Sequence, residues 1–283
     1  MTTLRAVRIL LPVPVRNLAV RWRDRWRLGR LPTASCDATP LVALDLGRLQ
    51  QFLAEPALQA EWLRVAAEVE EFQITAAAGG VNPGDRRALY YLIRALRPAR
   101  VLEVGTHIGA STVHIAAALR ANAAAGGPSP DFTTVDIIDV NDPVTRPWAG
   151  HGSRWAPAEM IDRMRIGGTM RFVAQSSLAF LADTGPQYDF IFLDGDHSAA
   201  TVYRELPAAL RRLAPGGLVL LHDYFPESRP LWPGDPVIPG PWLGLERLRR
   251  EGARLRVLPL GALGWPTKLG GTVTSLAAVV RAV

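Results

Sequence analysis

From Arg100 onward, short apolar runs alternate with amphipathic stretches, and this rhythm constrains the fold more than any other feature of the chain. Val101 to Val104, Phe132 to Val135, Met170 to Ala174, Phe190 to Leu193 and Leu218 to Leu221 predict strands. The intervening segments, one ending near Leu119 and one over Ala200 to Leu213, predict helices. Strands that are apolar along their whole length are covered on both faces, so the pattern implies an α/β fold, a parallel sheet with helices on both sides. Residues 32–97 predict a helical region, through Leu49, Phe52, Leu53, Leu58, Trp62, Val65 and Ala66 and again through Leu89, Leu92, Ile93 and Leu96. Its breaks fall at Gly79-Gly80 and at Asn82-Pro83-Gly84-Asp85. The expected division is an arm over 1–31, this helical region, and the sheet domain over 98–283.

At 283 residues and 48% hydrophobic, the chain can bury a sizeable core. The single cysteine, Cys36, excludes a disulfide framework and a thiol metal cluster, which leads to the expectation of a reducing, cytoplasmic setting. No apolar run approaches the roughly 20 residues that span a bilayer, and Ile9 to Val15 is short and proline-broken for a secretory core. The net charge of +6 is segregated, because residues 1–31 hold eight arginines against one acid, Asp24. The basic balance therefore says nothing about a basic groove in the main domain. Leu18, Trp22 and Trp26 recur at helical spacing and predict an apolar stripe flanked by arginines. Such a stripe anchors a chain to an anionic lipid surface or an acidic partner, or packs on its own domain or on a second copy in a homo-oligomer. Packing is the reading expected here.

In parallel sheets ligands bind outside the carboxyl ends of the strands. After the first strand comes Glu103-Val104-Gly105-Thr106-His107-Ile108-Gly109-Ala110-Ser111, whose glycines permit a tight turn and whose following helix offers N–H groups to an anionic group. The glycines are four apart, unlike the G-x-G-x-x-G of dinucleotide sites, which disfavours a nicotinamide dehydrogenase. Asp136 ends the second strand, where a carboxylate accepts hydrogen bonds from ribose hydroxyls, with Asp139 and Asp142 as alternatives. Gln175-Ser176-Ser177 follows the third strand, where short polar groups suit an adenine edge. The fourth strand delivers Asp194-Gly195-Asp196-His197 and the fifth His222-Asp223. Carboxylates of Asp194 and Asp223 on one rim call for a cation between them, and His197 is placed to take a proton from a substrate hydroxyl. The competing reading gives Asp196 and His197 to helix capping and His222 to the core.

Taken together, Glu103 to Ser111, Asp136, Asp194 to His197 and Leu221-His222-Asp223-Tyr224 resemble the class I S-adenosylmethionine (SAM)-dependent methyltransferases. Specifically, they resemble the branch holding the macrocin and mycinamicin sugar O-methyltransferases and the cephalosporin-hydroxylase-like proteins, over roughly residues 80 to 280. The resemblance implies a Rossmann-like, seven-stranded, mostly parallel sheet whose last strand, about Thr272 to Val280, runs antiparallel, preceded by an N-terminal helical extension. It implies SAM held by Glu103, Gly105, Thr106, Gly109, Ser111, Asp136, Ser176 and Asp194, and His197 as the base. Relatives hold Mg²⁺ through an acid after strand four and two consecutive acidic or amide residues after strand five. Asp194 and Asp223 match, whereas His222 is a nitrogen donor in a place of oxygen, which favours a softer divalent cation or none. The implied reaction is methyl transfer to an oxygen of a small molecule, such as a sugar, polyketide or other secondary metabolite. Asn141 to Met160 and the proline-rich Tyr224 to Trp242 are the segments expected to cover the acceptor. The alternatives are a non-catalytic SAM-binding module and a nucleic-acid methyltransferase using the basic arm; Asp-Gly-Asp-His after strand four is unlike the motif of amino-methylating enzymes.

Overall fold

The computed structural model describes residues 12–74 and 80–282. In chain order it runs α1 (Val13–Gly29), α2 (Leu46–Leu53), α3 (Ala57–Glu70), α4 (Pro83–Leu96), β1 (Arg100–Val104), α5 (Thr112–Ala124), β2 (Asp131–Asp136), α6 (Pro147–Gly150), α7 (Pro157–Arg163) and β3 (Thr169–Ala174). It continues through α8 (Ser177–Ala182), β4 (Tyr188–Leu193), α9 (Ala199–Arg211), β5 (Leu213–Leu221), α10 (Gly240–Arg250), β6 (Leu255–Pro259) and β7 (Ala277–Arg281). The seven strands form one sheet in the order β3-β2-β1-β4-β5-β7-β6, parallel except for β7, which is antiparallel to both neighbours. The fold is therefore the Rossmann-like sheet expected, with β6 added from a stretch that the sequence pattern does not mark.

Alternate residues of each central strand feed opposite cores, as a period of two requires. Phe190, Phe192, Leu218 and Leu220 join the core under α2, α3, α4 and α5, while Ile191, Leu193, Val219 and Leu221 join the core under α8, α9 and α10. Residues 32–45 are not helical as expected but run alongside the sheet. Val42 N–H donates to Gly217 and its carbonyl accepts from Arg281, so this segment finds its backbone partners at the sheet margin. The β5 strand starts earlier than Leu218, because Tyr188 pairs with Leu213 before a register shift between Tyr188 and Phe190. That bulge absorbs Pro215-Gly216-Gly217, which reads in sequence as a turn.

The arm docks differently from expectation. Asp24 and Leu28 face inward on α1, while Leu18, Trp22 and Trp26 face out, so the apolar stripe does not pack on this chain. Arg5 and Arg8 lie outside the described residues.

Candidate active site

The strand order reverses between β1 and β4, and at that switch point the carboxyl ends of β1, β2, β4 and β5 open into a cleft of about 550 Å³. The β1 end supplies Gly105 and His107, β2 Asp136, β4 Asp194 and His197, and β5 His222 and Asp223. Ser176, with Gln175, forms part of the wall beyond β3.

Gly105 makes the first turn possible. Its φ is +99°, and a Cβ there would sit 2.3 Å from the carbonyl oxygen of Asp194. The missing side chain lets β1 and β4 close together, with Gly105 N–H donating to Val135 (2.8 Å) and Asp194 N–H to Val104 (2.9 Å). Asp136 then accepts from His107 N–H at 2.9 Å, which ties the turn to the end of β2.

Four residues expected to touch a cofactor lie beneath the turn instead. Glu103 is fully buried and accepts from Ser111, Thr112 and Thr134 hydroxyls, and Thr134 also meets Thr106. Gly109 packs on Pro157 and Met160. Glu103, Thr106, Gly109 and Ser111 thus do not line the cleft; a strand-to-helix turn needs a buried scaffold, and these side chains are on its inner side. Burial drives the Glu103 carboxyl up to about 7, against its three hydroxyl donors and with Asp194 adding to the rise.

At the other wall, His222 stands between carboxylates. Its Nε2 is 3.2 Å from Asp85 Oδ2 and its Nδ1 is 2.8 Å from Asp194 Oδ1 and 3.5 Å from Asp223 Oδ1. Burial opposes the imidazolium, yet Asp194, Asp223 and Asp85 hold this histidine well above the usual range. Asp223 is correspondingly held below the usual carboxylate range, burial being outweighed by His222, His197 and Lys268. Its backbone is left-handed, φ 53°, a conformation that turns the chain sharply after β5 and keeps the carboxylate over the cleft. His197 Nε2 lies 3.5 Å from Asp194 and 3.4 Å from Asp223. Asp196 does serve the helix start, accepting from Ser198 and Thr201, and Ser176 caps α8 through Ala179 N–H.

Asp85 reads in sequence only as part of a helix break, not as a residue of the site. It is completely buried, receives Thr274 Oγ1 and Asn82 Nδ2, and meets His222 from 137 residues away. In sequence it is an ordinary acid in the first turn of a helix capped by Asn82, so no local signal separates it from the many that only cap. His107 is the second omission: it is half-buried on the cleft wall, its ring 4.3 Å from that of His151, and burial and that neighbour lower its proton affinity. The two expected cover segments do not line the cleft. Phe225, Trp232 and Val237 form a small core of their own, and Trp148 is buried, so these aromatics are spent on packing.

Ligand atoms of Asp194, His197 and His222 all lie within 4.8 Å of one another. His222 Nδ1 has no aligned hydrogen-bond partner although Asp194 Oδ1 is close, while Nε2 points to Asp85. A carboxylate behind one ring nitrogen with the other nitrogen left over is the arrangement that holds a metal-ligating histidine. With the Nδ1 proton displaced, Asp194, His197 and His222 form a donor set that fits a divalent cation.

Residues 102–224, which contain every strand-end residue of the rim from Gly105 to Asp223, match the family model of a methyltransferase domain. No curated protein matches the chain. Among solved structures, the O-methyltransferase TomG from Streptomyces achromogenes, involved in tomaymycin synthesis and crystallised with SAM, is similar at 17% identity over 94% of this chain and 99% of its own, with a TM-score of 0.50. A cofactor-bound protein from MTB is similar at 19% identity over 83% of this chain and 94% of its own, with a TM-score of 0.52. At these identities the likeness establishes the fold.

Proposed function

We propose that this chain is a SAM-dependent methyltransferase that acts on an oxygen of a small molecule. The observation that carries the reading is that one cleft at the sheet's switch point joins a nucleoside-type wall, Gly105 to Asp136, to a wall of proton-handling groups, Asp194, His197, His222 and Asp223. Bound SAM supplies an electrophilic methyl group. The Asp136 carboxylate would accept hydrogen bonds from the ribose hydroxyls, and Gln175 and Ser176 would border the base. Glu103, Thr106, Gly109 and Ser111 act from below, holding the turn's shape.

On the acceptor side, His197 takes the hydroxyl proton, and Asp194 and Asp223 at 3.4–3.5 Å stabilise the imidazolium that results. Asp194 and His222, with Asp223 3.5 Å from His222 Nδ1, would hold a divalent cation, with Asp85 fixing the His222 ring; the nitrogen donor favours Mn²⁺, Fe²⁺ or Zn²⁺ relative to Mg²⁺. When bound, such a cation raises the acidity of the acceptor's hydroxyl. Most of the acceleration comes from alignment of oxygen, methyl carbon and sulfur within the cleft. Calorimetry with SAM and its demethylated product is the test. Micromolar binding that weakens at least about tenfold in Asp136→Ala, the loss of a charge-assisted hydrogen bond, is expected; no binding to the wild-type chain overturns the reading.

A further inference from the structure

We propose that the outer face of α1 seats the protein on an anionic lipid surface. The inner face of this helix is fixed: Leu28 is buried, Asn17 accepts from Val237 N–H at 3.1 Å, and Arg247 donates to the carbonyls of Leu28 and Leu31. A rotation of about 100° per residue then places Val15, Leu18, Trp22 and Trp26 in one row on the opposite side. Their exposures are 45, 68, 69 and 47%. The row runs from Val15 to Trp26, roughly 16 Å of helix, and the two indoles stack with centroids 6.5 Å apart. Lone exposed apolar side chains are ordinary, but an aligned row of two tryptophans with Leu and Val is a surface awaiting an apolar phase.

The charges beside the row specify that phase. Exposed Arg25 borders one edge and exposed Arg27 and Arg30 the other, with the Arg30 guanidinium 3.5 Å over the Trp26 ring. Asp24, the sole acid of the helix, is buried and paired with Arg23 at 3.0 Å, so the helix itself sets no carboxylate against these arginines on its outer face. A two-fold copy of the same face would bring arginine rows against arginine rows with no counter-charge. A nucleic acid would neutralise the guanidiniums and leave the apolar row in water. A lipid surface answers both demands, headgroup phosphates meeting the arginines while indoles and Leu18 enter the boundary below them.

The test is flotation of the full chain with vesicles of phosphatidylcholine alone and of phosphatidylcholine mixed with phosphatidylglycerol, at low and high salt. Capture by the anionic vesicles only, lost at high salt, is expected. Trp22→Ala with Trp26→Ala, and separately Arg25→Glu with Arg30→Glu, should each weaken capture about tenfold or more, with melting curves and SAM binding unchanged because these side chains are exposed and distant from the cleft. Absence of capture overturns the proposal, as does capture that survives both variants. A dimer in light scattering that is broken by the tryptophan variant, without vesicle capture, assigns the face to a second copy instead. Salt-sensitive RNA binding without vesicle capture assigns it to nucleic acid.

Discussion

Glu103 shows how tertiary packing decides where a side chain at the end of a strand points. An acid before a glycine turn suggests a contact with ligand, but the side chain points inward to three hydroxyls and stays buried. Its carboxyl titrates at about 7 in the folded protein against an ordinary 4.5. Between those values the folded chain keeps a proton that the unfolded chain has lost, so stability is greatest below pH 4.5 as far as this group is concerned, and declines as pH rises to 7. Glu103→Gln removes that titration. Denaturant melts across this range should show the variant gaining on the wild type by up to about 3 kcal/mol as pH rises; parallel profiles would remove Glu103 as the source.

At the scale of elements, α1 is the clearest departure from the sequence-based expectation. The sequence predicts docking through the stripe of Leu18, Trp22 and Trp26. The structure instead ties the helix and the stretch after it to the α9–α10 pair: Arg247 caps the helix carbonyls, and Tyr203 Oη binds both Ala34 N–H, at 2.7 Å, and the Pro32 carbonyl. A chain starting at residue 32 loses the burial of Leu28 and the two carbonyl acceptors of Arg247, which lowers stability by about 3 kcal/mol or more. SAM affinity should be unchanged, since no residue of α1 lines the cleft. Thermal melting and calorimetry on one truncated preparation test both halves, and an unchanged melting temperature would make the arm dispensable.

Across the whole molecule, the site is assembled from Asp85, the turn after β1, Asp136, the β4 end and the β5 end, segments that only the sheet brings together. His222 joins the first of these to the last two, and its replacement is the sharpest probe of that assembly. His222→Asp places a further carboxylate among Asp85, Asp194 and Asp223, leaving buried charge uncompensated at a cost of several kcal/mol, about 3–5 by analogy with broken buried pairs. The variant's melting temperature should fall in EDTA and recover with Mg²⁺ or Mn²⁺; a melting temperature indifferent to cations would reject the metal site and leave His197 as the unaided base. The alternation of apolar runs by itself determined the parallel sheet, because strands covered on both faces must be apolar throughout. It also placed Asp136, Asp194, His197, His222 and Asp223 on one rim, because residues that follow parallel strands emerge at the same edge. Only the tertiary structure decided that Glu103, Thr106 and Ser111 face inward, that Asp85 stands behind His222, and that the tryptophans of α1 face outward. Each of those facts depends on which distant segment packs against a side chain, and periodicity within a single element carries no record of its neighbours.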